Sequence, residues 1–101
     1  MIPPETIPDM AHLRREIDAL DRTLVDLLAQ RARLIDRAVE LKPGEGMPAR
    51  INARVDEVLG NVRASAVAAG WDADLAEALW RQLVEWSIAR EEKVLGVEDA
   101  A

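Results

Sequence analysis

Apolar residues recur along the first part of the chain at alternating spacings of three and four positions, the pattern of one face of an α-helix. The pattern follows Asp9, a residue suited to cap a helix, and stops at Lys42, because Pro43 and Gly44 interrupt it. The sequence therefore predicts a first helix of about 33 residues. Its apolar seam comprises Met10, Leu13, Ile17, Leu20, Leu24, Leu27, Leu34, Ala38 and Leu41, with Arg31 in the middle.

Two shorter helices are predicted after the first one. Pro48 is suited to the first turn of a helix, and Gly70 to the position just past its end. Asp72 or Asp74 is expected to cap the third helix, whose apolar positions fade after Val94. Because no segment shows the alternation of a strand, the predicted fold class is all-α, with one long helix and two shorter ones.

This pattern divides the chain into three parts. We expect an extended, proline-containing arm over residues 1–8, one helical domain over residues 9–95 and an acidic tail over residues 96–101. A helix of about 33 residues is about 50 Å long, which exceeds the width of a domain of this size. The two later helices cannot cover its seam, so we expect a second copy to do so in an intertwined homodimer.

Composition narrows the possible partners. The 101 residues contain 13 Lys and Arg against 19 Asp and Glu, and the net charge of −6 disfavours nucleic acid and anionic lipid. There is no cysteine and only one histidine, His12, so neither a thiolate site nor a zinc site is expected. Residues 1–8 do not resemble a signal peptide, and no apolar run approaches membrane-spanning length. We expect a cytoplasmic protein that needs no cofactor and no metal.

Arg31 is the most informative residue of the seam, because a cation on a buried helix face requires an anion. Lys42 lies about 16 Å further along the same helix, close enough for two long side chains to hold one small molecule. Arg14 flanks the same face but lies about 42 Å from Lys42. It could therefore join that site only from an antiparallel partner chain, which would create two equivalent sites per dimer.

The third helix adds a hydroxyl and a carboxyl to this set. Ser87 and Glu91 are one turn apart and interrupt its apolar stripe. Together with the three cations they describe a pocket for a small dianion. No nucleophile with an adjacent base and no glycine-rich phosphate loop is present, so such a pocket would act by positioning and electrostatics.

A structural explanation stays open for each of these residues. Arg31 could pair with an acid that fixes helix register, the acids considered being Asp36, Glu57 and Glu85. Arg14 could simply be solvated, and Lys42 could be a favourable charge at a helix C-terminus. Ser87 could bond to the carbonyl of Leu83, and Glu91 could pair with Arg90 or Lys93.

The joint pattern resembles the all-α chorismate mutases and their relative, isochorismate-pyruvate lyase. The likeness extends from about Met10 to Glu92. Its motifs are Leu13-Arg14-x-x-Ile17-Asp18-x-Leu20-Asp21, Leu27-Leu28-Ala29-x-Arg31, Lys42, Arg54 and Ser87-x-x-x-Glu91. The resemblance implies an intertwined helical dimer in which each active site borrows an arginine from the other subunit.

Carried over by position, the resemblance also implies roles. Arg14 of the partner chain and Arg31 would bind the two substrate carboxylates, with Ser87 assisting. Lys42 would hold the ether oxygen, which gains charge as its C–O bond breaks in the Claisen rearrangement of chorismate to prephenate. Arg54 would contact or support a carboxylate from the second helix.

Two departures from the family pattern affect the expected activity. Glu91 replaces the usual glutamine, and a carboxyl donates to the ether oxygen only when protonated. We therefore expect activity to rise toward mildly acidic pH. Val55 occupies a position where many mutases carry an acid for the ring hydroxyl, and Ile51 stands where an aspartate is common.

These aliphatic residues, with Pro4 and Glu5 in the arm, resemble the lyase, whereas Ser87 resembles the mutase. Chorismate mutase is the first prediction, and the lyase, releasing salicylate and pyruvate from isochorismate, is the alternative. A further alternative is a non-catalytic helical dimer that binds a small dicarboxylate or regulates a partner enzyme.

Overall fold

The computed structural model describes residues 2–97, and all of its long elements are helices. Three α-helices contain 32, 18 and 23 residues. Their bounds are Met10–Leu41 (α1), Asn52–Ala69 (α2) and Ala73–Leu95 (α3), and short 3₁₀ turns lie at Pro4–Thr6 and Pro43–Glu45. The described residues contain no strand, so the predicted all-α class with one long and two shorter helices is confirmed.

The helix ends follow the capping residues that the sequence offers. Asp9 Oδ1 accepts a hydrogen bond of 2.8 Å from the backbone N–H of His12, and Asp72 Oδ1 accepts one of 3.0 Å from that of Leu75. Gly70 ends α2 with a φ of 70°, in the left-handed region that glycine adopts without steric cost. These three predicted boundaries are confirmed.

The predicted start of α2 at Pro48 is wrong. Lys42 O accepts the N–H groups of Glu45 and Met47, which closes a 3₁₀ turn directly after α1. The chain then continues without helix to Ile51, whose extended backbone (φ −127°, ψ 102°) forms the N-cap of α2. The turn thus delays the second helix by four residues relative to the proline.

Two further predictions concern the ends of the chain. The N-terminal arm is not extended throughout, because Thr6 donates from both its N–H and its hydroxyl to Pro3 O and forms a 3₁₀ turn. At the other end, Gly96 and Val97 follow α3. The acidic residues of the predicted tail, Glu98 and Asp99, lie outside the described residues.

The chain divides between Leu34 and Ile35 into two compact units. In the first unit the arm lies on the start of α1 and forms an apolar groove of about 290 Å³, lined by Ile2, Pro4, Ile7, Leu13, Ile17 and Leu20 among others. All residues of α1 are described and none is buried within this chain. No described helix is both long and apolar enough to cross a membrane.

In the second unit α2 packs on α3, and their contact forms its core. The buried apolar side chains come from both helices and from the preceding connection: Ala49, Leu59, Ala66, Ala76, Val84 and Ile88. Two of these residues are small, Ala66 on α2 and Ala76 on α3, and let the two helix backbones approach closely. This packing fixes α3, which carries two of the predicted site residues.

Candidate active site

α3 places a hydroxyl and a carboxyl next to each other inside the second unit. Ser87 and Glu91 lie one helical turn apart on the face that carries Val84 and Ile88, and all four are buried. Glu91 retains only 4% of its surface exposure. A carboxyl buried to this degree needs a partner, because an isolated charge in an apolar interior is very costly.

Lys42 is that partner. Its Nζ lies 2.8 Å from Glu91 Oε1 and donates a hydrogen bond of 2.8 Å to the carbonyl oxygen of Ala49. Lys42 directly follows α1, and Ala49 is a buried residue of the connection between α1 and α2. The ammonium thus joins the end of α1, this connection and α3. The pairing of Glu91 with Arg90 or Lys93, considered as a structural alternative, does not occur; Glu91 pairs with Lys42.

The contact at Glu91 Oε1 is an ion pair without hydrogen-bond alignment. Within the described part of the chain, this buried oxygen accepts no hydrogen bond of normal geometry. A buried carboxylate oxygen with lone pairs left unmatched can accept a further donor, and in its protonated form the same group can donate. The pair therefore places an ammonium and a carboxyl group within 3 Å of each other.

Ser87 is held by its own helix. Its Oγ donates a hydrogen bond of 2.8 Å to the carbonyl oxygen of Leu83, one turn earlier, as the structural alternative for this residue predicted. The bond engages the hydroxyl hydrogen of Ser87 and fixes the side-chain rotamer. Ser87 is thus a buried polar group one turn from Glu91.

The two arginines predicted on α1 lie in the first unit. Arg14 is exposed and Arg31 is half-buried. The three acids considered as structural partners of Arg31 are engaged by other arginines: Asp36 pairs with Arg90, Glu57 with Arg54 and Glu85 with Arg50. Because a carboxylate can accept from more than one donor, the structural explanation of Arg31 stays a prediction.

Three predicted residues lie at the start of α2. Ile51 and Val55 are half-buried, and the carbonyl of Ile51 accepts the N–H groups of Arg54 and Val55. The guanidinium of Arg54 is exposed and pairs with Glu57, one turn along the same helix. The described contacts therefore bring Lys42 and Glu91 together, whereas Arg54 binds within α2.

Two ion pairs flank Lys42 and Glu91 in the second unit. Arg90 binds both carboxylate oxygens of Asp36, at 2.6 and 2.9 Å, and lies 5.3 Å from the ring centre of Trp86. Hydrogen bonding from Arg90 holds the pKa of Asp36 below its ordinary value of 3.8. Arg50 Nη2 lies 2.5 Å from Glu85 Oε2, and this hydrogen bond lowers the pKa of Glu85 and raises the pKa of Arg50.

Sequence reasoning missed these flanking contacts. The carbonyl of Ala49 leaves no trace in the sequence, because every residue carries a carbonyl. Asp36 and Arg90 are 54 positions apart, so no local spacing indicates their pairing. Asp36 and Glu85 are candidates for Arg31 by sequence, although other arginines hold them in the structure.

The described residues contain no group of three or more histidine, aspartate or glutamate side chains arranged to hold a metal ion. His12 contacts Asp9, with 2.7 Å between its Nδ1 and Oδ1 of the carboxylate, in the exposed first turn of α1.

Comparison with known proteins links this arrangement to one family. Residues 13–92 match the family described as chorismate mutase type II. The chain is 33% identical over 85 residues to the T-protein of Enterobacter agglomerans, a match that covers 84% of this chain and 23% of that protein. It is 38% identical over 79 residues to the T-protein of Haemophilus influenzae, with 78% and 21% covered. The chain thus spans less than a quarter of the length of these relatives.

Proposed function

The chain belongs to the type II chorismate mutase family, and from this premise we propose that it catalyses the Claisen rearrangement of chorismate to prephenate. The observation that carries the proposal is the buried contact of 2.8 Å between Lys42 Nζ and Glu91 Oε1. Both residues occupy positions that the family resemblance assigns to the ether oxygen of the substrate. Ser87, one turn from Glu91, supplies a further polar group on the same face of α3.

The reaction breaks the ether C–O bond and forms a C–C bond within one molecule, so no atom or proton is gained or lost. Negative charge develops on the ether oxygen as the C–O bond lengthens. An ammonium held in place stabilises this charge more in the transition state than in the ground state. Ala49 O accepts from one of the three donors of Lys42, and the proposal assigns another to the ether oxygen.

The remaining residues are proposed to bind the two carboxylates of the substrate. Arg31 of one chain and Arg14 of its partner would each form charge-assisted hydrogen bonds with a carboxylate, with Ser87 assisting. Arg54 would support a carboxylate from the start of α2. Held in this way, the substrate is restricted to the folded conformation from which the rearrangement proceeds.

A homodimer follows from the same proposal, because Arg14 of the same helix lies too far from Lys42 to share one small ligand. The apolar seam supports it: the exposed fractions of Ile17, Leu20 and Leu24 are each 49%, and that of Leu34 is 72%. So many large apolar side chains on one helix are typical of a face that a partner covers. Light scattering at micromolar concentration should give twice the mass of one chain, and a monomer would contradict the shared site.

The second candidate is isochorismate-pyruvate lyase activity. It is favoured by Ile51 and Val55, which provide half-buried aliphatic surface at the start of α2 where many mutases have an acid. A hydroxyl of chorismate directed at these residues would lose hydrogen bonds with water and gain none. The isomer carries its hydroxyl elsewhere and would avoid this cost.

A product assay tests both candidates. The purified protein is given chorismate and, separately, isochorismate, while substrate loss is followed by absorbance and salicylate by fluorescence. We expect prephenate from chorismate to be the dominant reaction. Dominant salicylate formation would identify a lyase. A folded dimer that converts neither compound would contradict both and favour the binding or regulatory role.

A further inference from the structure

The connection between α1 and α2, residues 42–51, is held in place mainly by side chains. Its described backbone hydrogen bonds end at Met47, which donates to Lys42 O, and resume at Ile51, which accepts from Arg54 and Val55. Pro48 has no N–H to donate. The stretch between them is therefore fixed by the burial of Ala49 and by side-chain contacts on either side of it.

Those side-chain contacts form a closed circuit through the candidate site. Lys42 donates to Ala49 O, the next residue Arg50 binds Glu85, and Glu85 lies on the same helix as Glu91, which contacts Lys42. The ammonium therefore lies between two acceptors whose separation depends on how residues 49 and 50 are attached to α3. Among the described side-chain bonds, the Arg50–Glu85 contact attaches this part of the connection to α3.

We propose that the Arg50–Glu85 ion pair is a positioning contact, which fixes the Ala49 carbonyl relative to α3 and thereby sets the location of the Lys42 ammonium. The inference rests on the proposed function for its catalytic consequence, because Lys42 is the residue that would contact the ether oxygen. Arg50 and Glu85 do not contact the substrate in this scheme. They act through Ala49 and Lys42.

The exposure of the pair indicates a specific experimental signature. The side chains of Arg50 and Glu85 are 36% and 59% exposed, and ion pairs in such positions contribute little to the stability of a fold. Loss of the pair should therefore leave the folded fraction unchanged while loosening the Ala49 carbonyl. A merely structural contact would change stability or nothing at all.

The chain offers a direct view of Lys42, because its only other lysine is the exposed Lys93. With lysine labelled by ¹⁵N, two side-chain ammonium groups have to be distinguished, and Lys93→Arg assigns them. The exchange of the Lys42 ammonium hydrogens with water then reports the hydrogen bond to Ala49 O without any need for activity. The measurement is made on the full chain.

The test compares Glu85→Gln with a matched control, Asp74→Asn. The control breaks another exposed ion pair, Arg63–Asp74 at 2.9 Å, which lies at the start of α3 and does not contact the connection. We expect Glu85→Gln to increase Lys42 exchange and to lower kcat for chorismate by about two- to fivefold, the range that an exposed pair supports. The KM and the urea midpoint of Glu85→Gln should stay at parental values. The control Asp74→Asn should match the parent in all of these measurements. Arg50→Gln should reproduce Glu85→Gln, and the double variant should add nothing.

The possible outcomes distinguish failure of the positioning role of Arg50 and Glu85 from failure of the proposed chorismate mutase activity. Unchanged Lys42 exchange in Glu85→Gln and Arg50→Gln would overturn the positioning role, as would an equal change in Asp74→Asn. If the parent protein fails to convert chorismate, the proposed function is wrong, while the exchange measurement still decides whether the pair positions Lys42. If exchange changes but kcat does not, the pair positions Lys42 without affecting the reaction, and the catalytic consequence of the proposal is overturned.

Discussion

Glu91 and Lys42 carry opposite charges in surroundings that leave the carboxyl almost no contact with solvent. Replacing one partner of such a pair leaves the other charge buried and uncompensated, which costs about 3–5 kcal/mol. Removing Lys42 would therefore disturb folding as well as catalysis. Glu91→Gln is the more informative change at this site, because the amide keeps an oxygen that can accept from the ammonium.

Glu91→Gln is expected to alter the pH dependence of activity. If only the protonated carboxyl can donate to the ether oxygen, parental activity rises as pH falls, because a carboxylate has no hydrogen to donate. The glutamine amide of the variant would donate at every pH, so its profile should be flat. The measurement is kcat for chorismate across the pH range, with Glu40→Gln, an exposed acid of α1, as control. A variant with the parental slope would contradict the role of Glu91.

At the scale of single residues, the two polar side chains that interrupt the apolar stripe of α3 were predictable from the sequence. Ser87 and Glu91 stand out because their neighbours at helical spacing are apolar, and both are buried. The partner of Glu91 could not be chosen from spacing, since Lys42 is distant in the chain and Arg90 is adjacent. Burial decided between them, because only a cation that also enters the interior can match a buried carboxylate.

At the scale of the elements, the 3₁₀ turn at Pro43–Glu45 sets the direction of the backbone after Lys42. Gly46 ends this turn with a φ of 66°, and its N–H donates to Pro43 O. A residue with a Cβ adopts that conformation at a cost of about 1 kcal/mol. Gly44, two positions earlier, has no positive φ, and a methyl group added at either glycine would meet no atom within 4 Å.

These two glycines form a matched pair for substitution. Gly46→Ala should lower the free energy of unfolding by about 1 kcal/mol through backbone strain alone. Gly44→Ala should leave stability unchanged or raise it slightly, because alanine restricts the unfolded chain. Urea unfolding followed by far-UV circular dichroism measures both. Equal losses in the two variants would show that side-chain volume, and not the left-handed backbone, limits this turn.

Helix boundaries were predictable where a side chain or a glycine determines them, and not elsewhere. Asp9, Asp72 and Gly70 each supply the group that a helix end needs. Pro48 is suited to a first turn, but the preceding residues satisfy Lys42 O through Glu45 and Met47 and continue without helix to Ile51. The competing turn is a backbone arrangement that proline placement alone does not indicate.

At the scale of the whole molecule, the length and exposure of α1 are the observations that favour a second chain. The helix is 32 residues long and none of them is buried within the chain, although its seam has the regular spacing of a buried face. The seam was predictable from periodicity, and no residue of α1 is buried by the described part of the chain. A two-fold partner would cover the seam and supply Arg14 at the same time.

Subunit mixing tests the proposed shared site. Arg14→Ala and Arg31→Ala should each reduce kcat/KM for chorismate by about 30- to 100-fold, as expected for the loss of a charge-assisted contact to a carboxylate. If each site takes Arg31 from one chain and Arg14 from the other, a mixed dimer has one site with both arginines and one with neither. In a first mixture, equal amounts of the Arg14→Ala and Arg31→Ala variants exchange subunits at random. This exchange should restore about a quarter of parental activity.

The control for mixing is Arg31→Ala combined with the double variant Arg14→Ala/Arg31→Ala. Every site in that mixture lacks Arg31, so activity should stay at or below the level of the single variant even after complete exchange. Native mass spectrometry verifies that mixed dimers form in both cases. Absence of recovery in the first mixture would place Arg14 and Arg31 of one site on the same chain or outside the site, and recovery in the control would exclude Arg31 from it. Because recovery depends on which chain supplies each arginine, it separates a shared site from a dimer that is only structural.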